Sequence, residues 1–175
     1  ITKEQKSSLP AMDTLPGLLL TLTALTGEFP TDLVQRLPGS ASYKEAVVKR
    51  LKRERLLRTY YHDGLRGLRL TATSKRLLLA DQPALFSDTF IGHTVTNTPK
   101  YTVPHRIRLH RMAEVLVTMY QSGIPSFPWE KSAVFQPTPL PAGAFASLPA
   151  YYSSREVKEI GPQSSKIRGS RSTGV

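Results

Sequence analysis

The chain has 175 residues and no cysteine among them. A disulfide framework and thiolate metal sites are therefore excluded, and the composition fits a reducing compartment, the cytoplasm or, in a bacterium, the nucleoid. Acidic side chains are scarce, 13 against 24 Lys and Arg, for a formal net charge of +11. A carboxylate nuclease needs clustered Asp or Glu beside a Lys. Here the acids are scattered, and the trio Glu156, Lys158 and Glu159 is too unspecific to count. No apolar run approaches the roughly 18 residues that span a bilayer, Leu15 to Leu25 being too short and too rich in Thr. Neither a G-x-G-x-x-G nor a Walker-type run occurs, so no phosphate-cradling loop is expected.

Histidine is nearly as sparse. Of His62, His93, His105 and His110, the last two lie five apart in a helical pattern, about 140° around the axis, whereas co-ligation on one face wants three or four. No His-apolar-His triplet exists to hold a metal beside the pairs Tyr60-Tyr61 and Tyr151-Tyr152, and Tyr pairs on strands suit packing or phosphate hydrogen bonding rather than nucleophilic catalysis. The chain reads as a non-enzyme without metal or cofactor.

What is abundant is positive charge, which favours a polyanionic partner, nucleic acid ahead of an anionic membrane. It concentrates in Ser42 to Leu70, SYKEAVVKRLKRERLLRTYYHDGLRGLRL. Ser42 with Glu45 three residues on has the form of a capping box that starts a helix. In that helix Val47, Val48 and Leu51 fall within an arc of roughly 100°, with Lys49, Arg50, Lys52 and Arg53 opposite. Arg58-Thr59-Tyr60-Tyr61 then has β-favouring composition. Asp63-Gly64 signals a tight turn, and in Leu65 to Leu70 the residues Leu68 and Leu70 alternate with Arg66 and Arg69, completing a β-hairpin.

Upstream, a helix capped by Asp13 or Thr14 runs through Pro16 to a stop at Gly27, with Leu15, Leu18, Leu19, Leu22 and Leu25 as its buried stripe. Phe29-Pro30 reads as a break. Thr31 caps a short second helix through Leu37, with Leu33, Val34 and Leu37 inward, and Pro38-Gly39 turns the chain into the basic helix. A short helix, a tight turn and a basic helix make a helix-turn-helix, and the hairpin makes it winged. The fold class expected is mainly α with a small β-hairpin: a winged helix-turn-helix domain, an additional helix and an extended C-terminal arm. The same pattern also suits a helical protein-interaction module whose charge serves solubility, or an RNA- or ribosome-associated protein.

After the hairpin, Leu70-Thr71 is followed by a small residue, a basic residue and a Leu pair in the start of a fourth helix capped by Thr71 or Thr73. This junction is similar to that of winged-helix regulators. It also resembles the replication-relaxation family of plasmids and conjugative elements, whose members carry such a domain followed by a segment beginning His-Arg-Leu. Here His105-Arg106-Ile107 is the nearest match, and the likeness covers about residues 14 to 120. The resemblance implies a DNA-binding protein of mobile-element replication or transfer, or of transcription regulation.

Domain expectations follow. Residues 13–81 form the winged domain and 82–124 a helical extension, in which 82–104 lacks periodicity and 94–98 is a loop. A helix over 105–121 aligns Leu109, Met112, Ala113, Leu116, Met119 and Tyr120, as core by default or else as a homodimer seam. Residues 125–175 form a Pro-rich arm with Phe127, Trp129, Phe135 and Phe145 as isolated anchors, a short helix over 151–160 and a basic tail at 164–171. The start at Ile1 and the unremarkable end suggest a piece of a longer protein. The expected partner is double-stranded DNA. Tyr43, Lys44, Lys49, Arg50, Lys52 and Arg53 are placed at base edges and phosphates, Ser40 and Ser42 at a phosphate by the helix N-terminus, and Arg58, His62 and Arg66 on the wing side.

Overall fold

The computed structural model describes residues 9–87, 89–90, 101–130, 152 and 158. The expectations for the loop at 94–98, Phe135, Phe145, nearly all of the helix over 151–160 and the tail at 164–171 lie outside them. The chain divides into two compact units, residues 1–117 and 118–175. It is mostly helical, with one small three-stranded antiparallel sheet.

Helix α1, Leu15–Thr26, is capped by Thr14, whose Oγ1 accepts from the Gly17 N–H at 3.4 Å. The expected stripe is only part of its buried surface. Leu20, Thr21, Thr23, Ala24 and Thr26 are buried too, whereas Leu25 is only half-buried. Six leucines, five of them buried, and interspersed threonines suit a helix enclosed on most sides, because a Thr hydroxyl can be satisfied within the helix. Thr23 and Thr26 donate to the carbonyls of Leu19 and Leu22, at 2.6 and 2.7 Å.

Phe29–Pro30 is not a break but a short strand, β1, at the sheet edge, where a residue without N–H is tolerated. The segment after it, Asp32–Arg36, is a 3₁₀ turn and not an α-helix. Thr31 makes no side-chain cap, and the Leu37 N–H closes back on the Val34 carbonyl. The tighter i to i+3 turn suffices to bring Leu33, Val34 and Leu37 inward.

Helix α2 spans Ala41–Arg53, and its cap is Ser40, not Ser42. Only an extended residue just outside the helix can fold its side chain over the first-turn amides. Ser40 has that backbone (φ −70°, ψ 155°) and accepts from the Tyr43 N–H at 3.3 Å. Ser42 lies inside the first turn, so no capping box with Glu45 forms. The C-terminus closes in a Schellman arrangement: the Leu56 N–H bonds the Leu51 carbonyl and the Arg55 N–H bonds the Lys52 carbonyl, with Arg55 in the left-handed region at φ 57°.

Strands β2, Leu57–His62, and β3, Leu65–Leu70, form the expected hairpin, from the Leu57–Leu70 pair to the His62–Leu65 pair. Asp63 (φ 50°) and Gly64 (φ 74°) are both left-handed, as a two-residue turn matched to strand twist requires. The sheet order is β1-β3-β2, with Phe29 opposite Leu68. Alternation puts Phe29, Leu57, Leu68 and Leu70 on one face, toward α1 and α2, which pack against these strands. Leu19, Leu22, Leu51 and Leu56 complete that core.

Thr71 caps α3, Ala72–Asp81, by accepting from the Ser74 N–H, and α4, Pro83–Phe86, follows after Gln82. Helix α5 spans Val103–Gln121. Of its expected apolar stripe, Ala113 and Leu116 are buried, Leu109, Met112 and Met119 are half-buried, and Tyr120 is exposed. Val117 and Arg106 are buried where neither was expected. Among the described residues no helix is long and apolar enough to cross a membrane. Beyond α5, Phe127 is buried and stacks on Trp129 at a centroid distance of 5.2 Å.

Candidate nucleic-acid interface

Helix α2 turns Lys44, Val47 and Leu51 inward, and Val48 is half-buried. Lys44, expected at the groove, is therefore a correction. It lies three residues before Val47 and seven before Leu51, in the buried stripe. Its Nζ donates to the carbonyls of Gln35 at 2.6 Å and Leu37 at 3.1 Å, closing the C-terminal end of the 3₁₀ turn. The spacing alone contained that signal.

The opposite face is open. Ser40, Ser42, Tyr43, Lys49, Arg50, Lys52 and Arg53 are all exposed. They are not equivalent as cations. Arg50 Nε donates to Glu54 Oε1 at 2.8 Å, and the hydrogen bond and charge of Glu54 raise its pKa. Lys49 Nζ is 3.9 Å from Glu45. Lys52, Arg53, Arg55 and Arg58 have no carboxylate of the described residues within ion-pair distance. Such charge sits at the C-terminal end of α2 and on the turn into β2, where the helix dipole also favours it, and equally on Arg76 of the helix after the hairpin and on Arg108 and Arg111 of α5, which are exposed and have no ion pair among the described residues either. Arg55, one of the basic residues of the Ser42–Leu70 stretch, holds the left-handed position at the end of α2 that normally belongs to Gly.

On the hairpin, His62 pairs with Asp63 (Nδ1 to Oδ2, 2.6 Å). Arg66 is exposed, with its guanidinium carbon 5.4 Å from the ring centroid of Tyr61. Arg69 does not alternate outward with Arg66 and is only 2% exposed. It lies on the second face of the sheet, beneath α5, in a cluster that sequence reasoning missed entirely.

The centre of that cluster is Glu28, 0% exposed, immediately before β1 and so beside Arg69 across the β1–β3 pairing. Arg69 reaches Glu28 Oε2 through Nε at 2.8 Å and Nη2 at 2.6 Å. Arg106 Nη2 donates to Oε1 at 2.7 Å, and His110 Nε2 lies 2.8 Å from the same oxygen, which can only accept. Burial pushes the Glu28 carboxyl up, but the hydrogen bonds from His110, Arg106 and Arg69 together outweigh it and hold the pKa at about 2. Tyr60 roofs both guanidinium groups, at 3.8 Å from Arg69 and 4.7 Å from Arg106. Gly67 completes the fit, since a Cβ there would collide with the Glu28 side chain.

Arg106 also bonds the hairpin. Its Nη1 donates to the His62 carbonyl at 2.7 Å and its Nη2 to the Leu65 carbonyl at 3.0 Å, the two residues flanking the turn. One side chain from α5 therefore ties the buried acid to the tip of the wing. His105 goes elsewhere, stacking on Tyr101 at 4.3 Å. Among the described residues no three His, Asp or Glu could hold a metal ion. No protein-family model, curated protein or solved structure matches this chain.

Proposed function

We propose that residues 13–81 act as a winged helix-turn-helix that binds double-stranded DNA. The order helix, edge strand, helical turn, basic helix and hairpin, with the first strand pairing the last, supports that architecture. The carrying observation is how charge is sorted. Inside the protein, Lys44 is satisfied by two carbonyls and Arg69 and Arg106 by Glu28. Outside, Lys52, Arg53 and Arg55 at the end of α2 are exposed without carboxylates among the described residues, on the helix that also exposes Tyr43 and Lys49, with Arg66 on the wing and Arg58 exposed on the other face of the sheet, opposite Arg69 in the register. A surface serving solubility alone would intersperse the two signs. In this reading α2 enters the major groove, and Ser42, Tyr43, Lys49, Lys52 and Arg53 reach base edges and phosphates. Arg55, Arg58 and Arg66 meet the flanking backbone. Ser40 serves the helix as its cap.

The test is titration of labelled duplex DNA across salt concentrations. About five neutralised phosphates give a log–log slope of about −4 to −5. Lys52→Glu with Arg53→Glu should weaken binding by at least about tenfold while the circular dichroism spectrum stays unchanged, since both side chains are exposed. Salt-insensitive affinity, or structured RNA displacing the duplex at equal concentration, overturns the reading.

A further inference from the structure

We propose that Tyr61 and Arg66 form a platform on which an unpaired or terminal base stacks, so that the protein prefers a duplex end or fork to uninterrupted duplex. This rests on the DNA-binding reading above. Tyr61 is 64% exposed near the end of β2, directly opposite Arg66 in the register. Alternation places both on the sheet face of Leu57, Leu68 and Leu70, the face toward α2, but beyond the point where the core covers it. The Arg66 guanidinium lies against one side of the ring, which fixes the ring and adds positive charge next to it.

An exposed aromatic ring backed by a cation is what base stacking needs, and the interaction tolerates any base because every base has a π-face. The hairpin that carries the ring is also stiffened. The two-residue turn leaves no slack, and Arg106 holds the carbonyls of His62 and Leu65 from the opposite face. A ring on a held hairpin loses little entropy when a base docks. A base within continuous duplex offers only its edge, whereas a base at an end or fork offers its face without first being unstacked from both neighbours.

The experiment compares three labelled duplexes of one core sequence with the full chain at one salt concentration: a dumbbell closed by loops tethered to a blocking protein at both ends, a blunt-ended linear duplex, and a fork with two unpaired arms. The fork should bind about five- to a hundredfold more tightly than the dumbbell, the factor carried by stacking one base on an aromatic ring. Tyr61→Ala should abolish that preference and leave dumbbell affinity within about twofold, and Tyr61→Phe should retain it. A 2-aminopurine at the fork should be quenched by the wild type and by Tyr61→Phe but not by Tyr61→Ala. Equal wild-type affinity for fork and dumbbell, or Tyr61→Ala weakening both equally, overturns the platform while leaving duplex binding standing. Failure to bind any of the three overturns both.

Discussion

Glu28 is a single acid that must neutralise two arginines inside the protein. Removing one partner of a buried ion pair strands the rest, at a typical cost of about 3–5 kcal/mol. Glu28→Gln, which keeps the shape and loses the charge, should destabilise by that order in urea denaturation. Glu45→Gln, whose partner Lys49 is exposed, should change stability by less than about 0.5 kcal/mol. The pH dependence has a definite sign. The folded pKa of about 2 lies below the ordinary 4.5, so the stabilisation is fully present above about pH 4.5 and is lost as pH falls toward 2. The loss amounts to about 3 kcal/mol, and the acid limb of the wild-type stability profile should be shallower in Glu28→Gln. Gly67→Ala should destabilise as well, by about 1–3 kcal/mol, because its Cβ displaces the carboxylate from Arg69 and Arg106.

At the level of elements, the ends of α2 separate stability from binding. Ser40→Ala removes the cap and should cost about 1 kcal/mol, whereas Ser42→Ala, inside the first turn, should cost little. Arg55 holds a left-handed conformation that Gly adopts freely. Arg55→Gly should therefore leave stability unchanged or raise it by up to about 1 kcal/mol while lowering affinity for duplex DNA. Opposite signs in the two measurements identify the Arg as present for its charge, and parallel signs refute that. The wing is held by α5 through Arg106, whose fork Lys cannot reproduce. Arg106→Lys should accelerate amide exchange in residues 62–65, measured by NMR, more than in α1.

For the molecule as a whole, the charge balance, α1, the basic helix and the hairpin were legible in the sequence, whereas the edge strand at Phe29–Pro30, the 3₁₀ turn, α4 and the two sides of the sheet were not. The hairpin could be read because Asp63-Gly64 admits few other backbones and because Leu68 and Leu70 alternate; α1 could be read because its leucines follow the helical period. Taking every Lys and Arg as outward-facing assigns Arg69 to solvent, misses Arg106, and sets Lys44 on the open face of α2 against the period that aligns it with Val47 and Leu51. Within the candidate interface, Lys49, Lys52, Arg53, Arg58 and Arg66 lie on the surface where the pattern placed them.

The sequence by itself determined the local features: helix periods, the hairpin turn and the gathering of cations between Lys44 and Arg69. These depend on residues within about one turn of one another, where propensity and pattern act directly. Only the tertiary structure decided which cations are spent inside and which remain outside. Glu28 meets Arg69, Arg106 and His110 across separations of 41, 78 and 82 residues, and no local pattern encodes so distant a partner. A buried charge is tolerable only with its counter-charge in place, so this long-range pairing fixes the second face of the sheet and leaves the cations of α2 and the wing on the surface.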